Sequence, residues 1–140
     1  MTKMKQTFIF LIIIFFVWAC STQKATVKVE KTEPVAEVDS IEYGVETFDS
    51  KFEAWYVVQN SPATYRSLDY YENWNQQYVN AWNDKSTQMG KNSFFSPIVG
   101  YHSNEEYGFE VNHKLFYYFQ YVENVLKIEI MPGGPKVVGN

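Results

Sequence analysis

The chain has 140 residues, a formal charge of -4, one cysteine, two histidines and 26 aromatic residues in the form of four Trp, eleven Tyr and eleven Phe. That length holds one domain at most, and the single Cys excludes an internal disulfide or a thiolate metal cage. Negative charge with one arginine, Arg66, argues against a nucleic-acid partner and leaves no bidentate phosphate clamp.

Residues 1–19 read as a secretory signal: Lys3 and Lys5 precede the apolar run Phe8 to Trp18, and Ala19 precedes Cys20. A bilayer span needs about 20 apolar residues. The run from Phe8 to Cys20 is shorter than that.

The sequence Val17-Trp18-Ala19-Cys20 resembles the lipobox of bacterial lipoproteins. Ala19 and Cys20 match it well; Val17 stands where Leu is commonest, and Trp18 is bulkier than usual. The resemblance implies acylation of the Cys20 thiol, cleavage before it and an anchor in the cell envelope. The alternative is a plain signal peptide, or an uncleaved anchor, with a chance cysteine. Loss of Lys3 and Lys5 leaves ten basic against sixteen acidic residues, a charge of -6, so lipid rather than charge is expected to hold the protein at the membrane. Ser21, where the sorting rule resembles an Asp-based retention signal, favours the outer membrane, and the lack of an acidic cluster after Cys20 favours its periplasmic face.

Residues 20–44 read as the lipidated Cys and a disordered tether, because the polar stretch from Ser21 to Glu46 carries Pro34 and no helical stripe. The alternation Thr26-Val27-Lys28-Val29-Glu30 is the one strand-like feature in it. All aromatics beyond Cys20 fall between Tyr43 and Tyr121, so the folded domain is expected over 45–131 and a flexible tail over 132–140.

The expected fold is mainly α: a small bundle of about three helices with a long irregular loop between the second and third. Asp49 caps a first helix with Phe48, Phe52, Trp55 and Tyr56 on one face. Ser61-Pro62 opens a second, running to about Lys85 with Leu68, Tyr71, Trp74, Tyr78, Ala81 and Trp82 as its stripe. A third begins between Glu105 and Glu110, with Ser103 and Glu106 spaced as a capping box and Val111, Leu115, Tyr118, Phe119, Val122 and Leu126 in line. The loop from Ser86 to His102 carries the apolar plug Phe94-Phe95 and Ile98-Val99.

No catalytic residue, resident metal or cofactor is assigned from the sequence. There is no nucleophile elbow, and His102 and His113 form no zinc-hydrolase motif. Glu106, Glu110 and His113, at i, i+4 and i+7, would project from one helical face toward a metal, or simply form its wet side. Rings and amides between Tyr70 and Asn83 would suit a glycan, although Tyr71, Trp74, Tyr78 and Trp82 are also the stripe a helix buries. The stretches Glu106 to Phe119, Phe52 to Tyr56 and Tyr78 to Trp82 together resemble a family of small bacterial lipoproteins with no assigned activity. The expected function is a lipid-anchored, non-catalytic binding or structural module whose partner is an envelope protein or glycan. The alternative is an enzyme acting on envelope glycans or a carbohydrate-binding module.

Overall fold

A computed structural model describes residues 24–32, 42–47, 49–88, 94–98 and 100–136. The signal segment, Cys20 and residues 137–140 lie outside these. Among the described residues the elements are β1 (Val27–Thr32), β2 (Glu42–Thr47), α1 (Ser50–Gln59), a 3-10 turn (Pro62–Thr64), α2 (Leu68–Gln88) and α3 (Gly108–Asn124). The fold is thus mainly helical, with a two-stranded antiparallel sheet added.

The sheet corrects the expected tether. Val27 faces Thr47 and Val29 faces Val45, and the β-branched side chains of Val27, Val29 and Val45 are buried while Glu30 and Glu46 face outward. Polarity averaged over 25 residues conceals a short strand with a half-apolar period, and burial of each valine stabilises by about 1.5–3 kcal/mol. The domain therefore begins near Lys24, not at residue 45.

Helix α1 forms as expected, with Asp49 Oδ1 accepting from Lys51 N at 2.9 Å and Phe52 N at 3.2 Å. Ser61 and Pro62 open only the 3-10 turn. Tyr65 is extended, and α2 starts at Leu68 with Ser67 Oγ accepting from Tyr70 N at 3.2 Å. The capping box of Ser103 and Glu106 does not form: α3 starts at Gly108, and Tyr107 precedes it without a side-chain cap. The Tyr107 hydroxyl is engaged elsewhere, accepting from His102 N at 2.7 Å and donating to Gly100 O at 2.8 Å.

Helix α3 is buried on every side, with eleven buried residues from Val111 to Val122, so it is the axis of the domain rather than a half-wet surface helix. Helices α1 and α2 and strand β2 pack on it, and Phe94 and Phe95 pack on Trp82 of α2. Of the expected plug, Phe95 and Ile98 are buried and Phe94 is half-buried, while Val99 lies outside the described residues. Beyond α3, left-handed Lys127 (φ 59°) turns the chain so that Ile128 N donates to Val122 O at 3.0 Å. The segment continues along the domain, where Glu123 Oε1 accepts from Ile130 N and Met131 N and Gly134 rests against the Tyr78 hydroxyl. Within the expected tail, Gly134 is thus packed on the domain, whereas Pro132, Gly133 and Lys136 are exposed.

Candidate functional site

Tyr71, Tyr78 and Trp82 are interior, at 1%, 0% and 0% exposure, so these three rings of α2 build the core and cannot stack on a sugar. Trp82 sits edge-on to Phe95 at 4.8 Å and donates from Nε1 to Ser96 O at 2.6 Å. Tyr78 stacks on Phe119 at 4.9 Å. Trp74 is half-buried; Asn73, Gln76, Gln77 and Asn80 face solvent, whereas Asn75 is fully buried.

The triad Glu106, Glu110 and His113 is not brought together. Glu106 precedes α3, Glu106 and Glu110 are exposed, and His113 is fully buried. Among the described residues no group of three or more His, Cys, Asp or Glu is placed to hold a metal ion.

His113 instead occupies a cage of rings. Its centroid lies 4.5 Å from Tyr117, 4.7 Å from Tyr65, 5.1 Å from Tyr71, 5.3 Å from Phe109 and 5.7 Å from Tyr56. Nδ1 shares a 2.7 Å hydrogen bond with the Tyr56 hydroxyl, and Nε2 has no hydrogen-bond partner. Burial pushes the imidazole down to about 4, so it is neutral near pH 7. The Tyr56 hydroxyl is held well above its ordinary value, chiefly by burial and next by the negative charge of Glu110. A neutral imidazole with one neutral partner suits packing more than proton transfer, because no carboxylate orients it.

A second polar cluster joins α2 to α3. Asn75 Nδ2 donates to Asn112 O at 2.8 Å and to Asn112 Oδ1 at 3.1 Å, and Tyr101 OH donates to the same Oδ1 at 2.8 Å. Outside this pair opens a polar cleft of about 320 Å³, lined by Glu72, Gln76, Tyr101, His102, Glu105 and Glu106 among others. Tyr43 OH donates to Glu105 Oε2 at 2.9 Å, and that bond raises the phenol above its ordinary value. The cage was partly visible beforehand in the i, i+4, i+8 series Phe109, His113 and Tyr117. The Asn75 to Asn112 contact spans 37 residues, and no local pattern announces it.

A family of unknown function, DUF6146, matches residues 8–132. The chain belongs to that family. The DUF6146 match begins at the first residue of the apolar N-terminal run and extends past Ile130, which is buried after α3. Comparison with curated proteins and with solved structures found no match.

Proposed function

We propose that this DUF6146 member is a lipid-anchored, non-catalytic binding or structural module of the cell envelope, attached through Cys20 at the periplasmic face of the outer membrane. One observation carries the non-catalytic part: the side chains best suited to chemistry or sugar stacking, His113, Tyr71, Tyr78 and Trp82, are all committed to the core. The lipobox-like Val17-Trp18-Ala19-Cys20 supports the anchor. Among the described residues no helix is long and apolar enough to cross a membrane. A tagged fatty acid should label the wild type and not Cys20→Ser, which should also leave the membrane pellet. Label retained by that variant would refute the anchor.

The second reading is binding of an envelope glycan, favoured by the polar cleft beside Tyr101. Its Asn73, Gln76 and Asn104 amides and its carboxylates suit hydroxyl groups. Titration with a soluble peptidoglycan fragment should move the NMR signals of Gln76 and Asn104 if this cleft binds it, and leave them in place if it does not.

A further inference from the structure

The folded domain begins close to the proposed lipid. Ala25 N donates to Phe94 O at 3.1 Å and Ala25 bridges Phe95, so Ala25 is fixed to the domain. Five residue steps separate it from Cys20. A fully extended chain covers about 3.3–3.6 Å per residue, so Ala25 lies within about 18 Å of the lipidated cysteine whatever path the chain takes. With lipid on Cys20, the surface around Ala25 is therefore held close to the bilayer.

That surface carries a groove of about 200 Å³. Phe94, Tyr118, Tyr121 and Leu126 supply apolar walls, and Lys24 and Lys51, both exposed, stand beside them. Asp49 also lines the groove, its carboxylate accepting from Lys51 N and Phe52 N, so the charged rim is two ammonium groups against one carboxylate. Lysine stems lie over apolar surface while their ammonium groups reach anionic phosphate. The chain beyond the signal carries -6, so an anionic membrane repels it as a whole and attracts this basic face, which orients the domain.

We propose that the face formed by Lys24, Lys51, Phe94 and Leu126 docks on the bilayer, with the groove taking the headgroup of an anionic phospholipid. This rests on anchorage at Cys20, and the test separates the two.

The full protein is isolated from membranes and the mass of its Cys20 peptide is measured. If Cys20 is unacylated, the anchor reading fails, and the same thiol is coupled to a maleimide lipid so that docking is tested regardless. The protein is then placed on vesicles of phosphatidylethanolamine and phosphatidylglycerol and its lysines are acetylated briefly. Lys24 and Lys51 should react about fivefold more slowly than on phosphatidylcholine vesicles, the factor that ~1 kcal/mol per basic residue at an anionic surface implies. Lys31, at the far end of β1, should not change. In Lys51→Glu, an exposed change that leaves the core intact, the protection of Lys24 should fall. Equal reactivity of Lys24, Lys51 and Lys31 on both vesicles would overturn the docking face. Protection that is the same on both lipids would overturn the anionic headgroup as its occupant.

Discussion

The Tyr56 hydroxyl lies 2.7 Å from Nδ1 of His113, and this bond, buried 57 residues apart in sequence, pins α1 to the axial helix α3. Because the ring is walled by aromatics, the folded protein refuses a proton there that the unfolded chain accepts at its ordinary value of 6.5. The folded value is lowered to about 4, so His113 favours unfolding as pH falls from about 6.5 toward 4. With allowance for solvent screening, the loss by pH 4 is on the order of 2 kcal/mol. Melting temperatures at pH 7 and pH 4.5 should differ less in His113→Phe than in the wild type. An identical pH slope in the variant would show that the imidazole is protonated within the fold.

Trp82→Ala removes the ring that fills the space between α2, α3 and the Phe94-Phe95 plug. It also strands the Ser96 carbonyl that now accepts from Nε1. The cost should be about 3–5 kcal/mol, a large part of the 5–15 kcal/mol a domain of this size possesses. Urea unfolding checks it: an unchanged midpoint would mean that Trp82 is not core.

A chain starting at Gly44 lacks β1 and with it the buried Val27 and Val29. It should lose cooperative thermal unfolding, whereas removal of residues 1–19 should not. A sharp, reversible melt from the chain starting at Gly44 would mean that the hairpin adds nothing to the core.

Gly100 and Gly108 both have positive φ, at 86° and 75°, but their surroundings differ. A Cβ on Gly100 would run into the Val29 carbonyl, whereas Gly108 has open space around it. Gly100→Ala should therefore cost more than the roughly 1–3 kcal/mol of left-handed strain alone, and Gly108→Ala should stay near that strain. Equal losses in denaturant melts would show that the 100–102 loop moves away from β1 without penalty.

Much of the helical fold was legible because its signals are local. Asp49 announces α1, and Tyr71, Tyr78 and Trp82 recur at the spacing a buried face requires. Helix ends were less legible where a side chain had two uses: Ser61-Pro62 spends its signal on one 3-10 turn, and Tyr107 is drawn into loop bonds at the point where Ser103 and Glu106 suggested a cap. The hairpin was hidden because the neighbours of β1 are distant in sequence: Val45 across the ladder, Phe95 bridged to Ala25, and Gly100 close to the Val29 carbonyl. His113 misled for a similar reason. The spacing of Glu106 and Glu110 before it suggested a polar face, but Tyr56, Tyr65 and Tyr71 arrive from elsewhere and enclose it.

The pairing of Val27 with Thr47 places the N-terminal end of β1 beside the exit of β2 into α1. Tension applied through residue 24 therefore meets the bonds of the hairpin one after another, as in unzipping, instead of loading them together in shear. The Ala25 to Phe94 bond gives first, then the Val27 end of the ladder, and α3 is reached last. A pull through residue 24 would be absorbed by peeling of β1, which makes this hairpin a compliant link and leaves the aromatic interior unloaded.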